Sequence, residues 1–185
     1  MPDPTPNPTQ IDRSLVIVVT PTLVWRPDGS IGATVAYQQT EAIPNMPNAI
    51  DASGNIKLSP WKKDARYTDN IDVFFFLDSS KCVDNNKNPI TVRWAQPNEG
   101  NYPNDFGCIW FCNTPAPGGS KDTTQIAIPG LSTGRINDTL VYIDDNTPAT
   151  AAASYTFCTA IVIPDRGNYY ITIDPTLGGK GTSQK

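Results

Sequence analysis

The stretch Asn70-Ile71-Asp72-Val73-Phe74-Phe75-Phe76-Leu77-Asp78 decides the fold. Its Ile, Val and Phe side chains suit a pleated surface, and the run does not keep i, i+3, i+4, i+7 apolar spacing long enough for a helix. The unbroken Phe74-Phe75-Phe76 run predicts a strand buried on both faces. Outward from it the same period-2 signal recurs, with turn residues between segments. Residues 14–20 are apolar on both faces and read as a central strand. Residues 23–26 and 31–39 flank the turn Pro27-Asp28-Gly29 and read as a hairpin, with Ile31, Ala33, Val35 and Tyr37 on alternate positions. Residues 40–69 carry Pro44, Pro47 and Pro60 and read as a long loop with one short strand at 55–58.

Residues 90–95 alternate, with Ile90, Val92 and Trp94 inward and Thr91 and Arg93 outward. Residues 108–112, 125–128, 139–144, 154–163 and 169–174 complete the strands. The last two are separated by Pro164-Asp165-Arg166-Gly167, a β-turn with Pro early and Gly where a positive φ is useful. No window supports a helix. The expected fold is therefore all-β, an antiparallel β-sandwich of about eight to ten strands, Ig-like or jelly-roll-like, with long Pro- and Asn-rich loops. A closed barrel is the alternative architecture. Residues 1–10, with Pro at positions 2, 4, 6 and 8, read as a flexible arm; 11–177 as a single domain; and 178–185 as a flexible tail.

Composition narrows the chemistry. The 185 residues include 18 Pro and no His, with 17% charged side chains and a net charge of -4. Without His the commonest general base and the commonest zinc and copper ligand are missing, which removes His-dependent triads and metal centres. The acidic balance opposes nucleic acid, which needs clustered Lys and Arg. The longest aliphatic run, residues 15–19, is far short of a membrane span. The N-terminal decapeptide has neither a basic flank nor an apolar core, so it does not read as a secretory signal, and the expected location is cytoplasmic. Cys82, Cys108, Cys112 and Cys158 read as reduced, with Cys158 a small core residue and Cys82, beside a polar turn, the more reactive thiol.

Three constellations invite a site. The segment 96–106 (QPNEGNYPNDF) gathers Asn98, Glu99, Asn101, Tyr102, Asn104 and Asp105, an aromatic face ringed by amides and carboxylates of the kind that binds sugars. Trp61 offers a second platform. The plainer reading has both aromatics folding back to cap an open end of the sandwich. The loop 84–88 clusters Asp84, Asn86 and Asn88 at calcium-loop spacing but lacks the Gly and the terminal Glu of an EF-hand, and Asp and Asn are also the default residues of tight turns. Asp144-Asp145-Asn146 reads the same way. Carboxylate-pair hydrolysis, the enzymatic route that needs no His, has Glu41 and Glu99 as candidates.

The opening segment 11–20 (IDRSLVIVVT), the central 90–95 (ITVRWA) and the closing hairpin from Tyr155-Thr-Phe-Cys158 to Tyr170-Ile-Thr-Ile-Asp-Pro175 resemble the AidA/PixA inclusion-body protein family over most of residues 11–177. The chain departs from the PixA branch in having only 2 Met. The resemblance implies a bacterial cytoplasmic β-sandwich without a known enzymatic activity, regulated by quorum sensing or stationary phase and accumulating in inclusions. It supplies no catalytic residues. The expected function is non-enzymatic: self-association as a homo-oligomer, or binding of a small ligand, with no resident cofactor. The alternative is a lectin-like carbohydrate-binding module assisted by calcium.

Overall fold

The computed structural model describes residues 9–58, 64–97, 99, 108–112, 126–147, 155–173 and 176–178. In chain order the strands are β1 (Ile11–Trp25), β2 (Ile31–Ile43), β3 (Ile56–Lys57), β4 (Tyr67–Leu77), β5 (Arg93–Trp94), β6 (Ile109–Cys112), β7 (Leu131–Arg135), β8 (Leu140–Asp145), β9 (Tyr155–Ile163), β10 (Tyr169–Ile173) and β11 (Thr176–Gly178). A single 3-10 turn, Pro164–Arg166, is the one helical element among the described residues. No helix there is long and apolar enough to cross a membrane.

One sheet has five strands in the order β2-β1-β4-β8-β7. The other is built around β9, which pairs with β10 and β11 along one side and with β5 and β6 along the other, while β3 joins through β11. Neither sheet closes into a barrel.

The central strand β4 places its side chains as pleating dictates. Ile71, Val73, Phe75 and Leu77 turn inward, and Phe75 meets Phe157 of β9 with ring centroids 5.5 Å apart. Across the sheet, Leu15, Val73 and Ile143 form one buried row and Ile17, Phe75 and Val141 the next. The expectation that 70–78 is buried on both faces is corrected. Phe74 is half-buried and Phe76 is 45% exposed, because both lie on the outer face with Val16, Val18, Leu140 and Tyr142. The strand buried on both faces is β9, where every residue of 157–163 is buried, Cys158 included.

The expectation of purely antiparallel pairing is also corrected. β1 and β4 run parallel, as do β3 and β11. After the β1–β2 hairpin the chain visits the second sheet at β3 before returning as β4. A connection of that length permits a parallel neighbour. Side-chain alternation is the same in either orientation, so the pattern could not distinguish them.

Three further differences are local. The segments 14–20 and 23–26, expected as two strands, are joined in one strand, β1, which runs through Pro21 and ends at Trp25. The Val19 carbonyl accepts from Asp78 N–H at 2.9 Å, so Pro21, two residues on, turns its missing N–H toward the same side, past the end of the β4 ladder. β7 carries too little alternation in Leu-Ser-Thr-Gly-Arg to announce itself, and it is formed by pairing with β8. The strand expected at 125–128 is absent over 126–128, although Ile126 N–H still reaches the Phe111 carbonyl. The hairpin between β9 and β10 forms as expected, with Gly167 at φ 67° closing the turn.

Candidate functional site

Of the sugar-binding candidates, Glu99 lies among the described residues, whereas Trp61, Asn98, Asn101, Tyr102, Asn104 and Asp105 lie outside them. Glu99 faces back toward the fold. Its two carboxylate oxygens accept a fork from Arg93, at 2.7 and 2.6 Å, and Oε2 also accepts the Gln96 N–H at 2.7 Å. These bonds with Arg93 hold its carboxyl below the ordinary Glu value, against the opposing effect of burial. Arg93, expected to point outward to water, is 13% exposed because it is folded onto Glu99. The pair fixes the start of the 96–106 loop to the end of β5.

The Asp84 loop brings its candidates together, but around the backbone. Asp84 Oδ1 accepts the N–H groups of Asn86 and Asn88, and Oδ2 accepts the Asn88 side-chain amide. Those bonds lower its carboxyl pKa, those from Asn88 contributing most. Lys87 at φ 65° completes the turn. Asp51 builds the same loop with Ser53 and Asn55, and there Gly54 takes the positive φ. In both loops the carboxylate is engaged in closing its own turn. Asp144 and Asp145 point to opposite faces of β8. Asp145 is buried against Thr147, while Asp144 accepts from Ser132 and Asn146. Among the described residues no three His, Cys, Asp or Glu converge as a metal-ligand set.

Cys82, expected to be the reactive thiol, is 1% exposed and donates to the Pro21 carbonyl. Burial pushes its pKa up to about 11, so the thiolate needed for reaction is suppressed. Burial does the same to Cys108, also to about 11.

The structure instead draws attention to the flank where β2, at the edge of the first sheet, meets β10 of the second. Ile31 N–H donates to the Tyr169 hydroxyl across this seam at 3.0 Å. Backbone alternation therefore sends the N–H and C=O groups of Ala33 and Val35 the same way, off the sheet edge. β2 is 13 residues long, contains no Pro, and has Glu41 as its one charged side chain. At its start a groove of about 350 Å³ opens between Ile31–Ala33 and Tyr169–Thr172, with Arg26 at its rim. The neighbouring corner is held by Trp25, whose indole N–H donates to the Val83 carbonyl and whose ring carries the Arg166 guanidinium at 5.3 Å.

Sequence reasoning placed Ile31, Ala33, Val35 and Tyr37 on one hairpin strand but assigned none of this flank to a site. The length and neutrality of the strand were the available signal. No protein-family model matches the chain, and no curated protein matches it.

Proposed function

We propose that this chain is a non-enzymatic self-assembling protein, a β-sandwich whose β2 edge pairs with the same edge of a second copy. The observation that carries the reading is the character of that edge. Proteins blunt exposed strand edges with lysines, prolines, bulges or short length. β2 has 13 residues, one acidic side chain and no proline; its register shifts once, around Thr40, which leaves 31–39 in regular register, and no strand pairs with its outer side among the described residues. The opposite edge, β7, is five residues long and contains Gly134 and Arg135, so it is a poor template. An antiparallel β2–β2 contact is self-complementary, as a two-fold dimer requires. It would join the two outer faces on which Val16, Val18, Phe74 and Phe76 are only partly covered.

The absence of His supports assembly over catalysis. Asp72 and Asp144, the carboxylates directly opposite each other in the register, lie on the outer face of the sheet and not across the seam groove. The resemblance to the AidA/PixA family implies the same class of behaviour, in the cytoplasm, and Cys82 and Cys108 are buried as thiols, as a reducing compartment would keep them.

Sedimentation across a concentration series tests the reading, comparing the wild type with an Ala36→Lys/Gln38→Lys variant. Both positions are exposed on β2, so the lysines oppose pairing without disturbing the core. The expected result is a wild type that assembles as concentration rises and a variant that stays monomeric with an unchanged thermal midpoint. A wild type that is monomeric at millimolar concentration, or a variant that assembles equally well, overturns it.

A further inference from the structure

The seam groove has a chemistry of its own. The Arg26 guanidinium lies over Gly32, where a Cβ would come within 2.8 Å of Nη2. Its side-chain hydrogen bond goes to the Ser30 hydroxyl, at 3.3 Å. The nearby carboxylate, Asp28, is occupied by Ser30, which donates its N–H and its O–H to Oδ1 at 2.9 and 2.7 Å. Asp28 feels Arg26 only as a lesser influence than those bonds. Arg26 belongs to none of the ion pairs seen, such as Arg66–Asp64, Arg93–Glu99 and Arg135–Asp138, so among the described residues it lies at the groove without a carboxylate within bridging distance. Tyr169 adds a hydroxyl that accepts from Ile31 N–H and retains its own proton to donate. The remaining lining comes from Ile31, Gly32, Ala33, Tyr170, Ile171 and Thr172, and because Ile31 and Ile171 are buried the surface it exposes is mostly polar.

We propose that this groove binds a small organic carboxylate, with the Arg26 guanidinium forking onto the carboxylate, the Tyr169 hydroxyl donating to it, and the organic body lying along the Tyr169–Tyr170 side of the groove. A guanidinium fork matches a carboxylate in geometry and charge. A volume of about 350 Å³ is at the small end of ligand pockets, which suits a metabolite-sized acid over a peptide. Gly32 acts as a positioning residue: lacking a Cβ, it lets the guanidinium lie down on the strand.

Benzoate is the probe, with benzamide as its neutral counterpart and inorganic phosphate as an anion without an organic body. In amide-resolved NMR titrations, benzoate is expected to shift the signals of Ile31–Ala33 and Tyr169–Thr172, with benzamide and phosphate binding much more weakly. Arg26→Gln should weaken benzoate roughly tenfold or more, as expected when a charged fork becomes a neutral amide. Gly32→Ala leaves the charge in place but displaces the guanidinium, the flexible end of its side chain, so it should fold normally and also weaken benzoate. The proposal is overturned if benzoate shifts no groove amide up to tens of millimolar, if benzamide or phosphate binds as well, or if Arg26→Gln binds benzoate like wild type. The Ala36→Lys/Gln38→Lys variant should bind benzoate as the wild type does, so failure of groove binding and failure of edge pairing are read separately.

Discussion

Replacing Glu99 by Gln tests how the 96–106 loop is held. Arg93 and Glu99 share two bonds of 2.7 and 2.6 Å, and their side chains are 13% and 21% exposed. An ion pair in open water contributes about 0.2–1 kcal/mol, and breaking one side of a buried pair costs about 3–5 kcal/mol. A pair this shielded but still touching water falls between, and Gln keeps the volume and one acceptor oxygen. The expected loss is about 1–2 kcal/mol at pH 7.

The pH dependence carries the diagnosis. Hydrogen bonds from Arg93 hold the Glu99 carboxyl below its ordinary value of 4.5. A group with a depressed folded pKa contributes stability that is complete above its unfolded pKa and is lost as pH falls through the folded one. Urea unfolding of wild type and Glu99→Gln should therefore differ most at neutral pH, and the gap should close as pH drops below that depressed value. A gap absent at pH 7, or equally large in strong acid, refutes the charged fork as what holds the loop.

Asp72 is raised above its ordinary carboxyl value, first by burial and then by Asp144 and Asp12 on the same outer face. Asp72→Asn should stabilise the fold at neutral pH by about 0.2–1 kcal/mol, the scale of a cross-strand like-charge pair, and the advantage should vanish below the unfolded value near 3.8. Thermal melts of both proteins between acid and neutral pH check this, and an advantage that persists in acid contradicts it. Cys82, buried and with its pKa at about 11, should resist alkylation of the native protein at pH 8 and react only as fast as the fold opens, which time-resolved mass spectrometry reads directly.

Much of the fold was legible because strand pattern is a local property. The alternation of Ile31, Ala33, Val35 and Tyr37 follows from pleating, and the Pro164 to Gly167 turn from the conformations those residues favour. The errors came where a partner decided. β7 exists because β8 offers it a ladder, and nothing in Leu-Ser-Thr-Gly-Arg compels it. Cys82 looked reactive because its sequence neighbours are polar, but exposure belongs to the packed chain, and Pro21, 61 positions away, receives its S–H. Glu99 looked like a ligand contact until Arg93 was seen to hold it.

By itself the sequence determined that this chain makes strands, that it lacks histidine chemistry, and which residues alternate along the strands it announces, such as β2. These follow from side-chain shape and a repeat of two, which need no knowledge of the rest of the molecule. Only the tertiary structure decided that β1 and β4 run parallel, that β2 ends a sheet while β9 lies within one, and that Arg26 and Tyr169 share a groove. Strand orientation, edge position and the meeting of residues 143 positions apart depend on where connections cross between sheets, and side-chain alternation carries no information about that path.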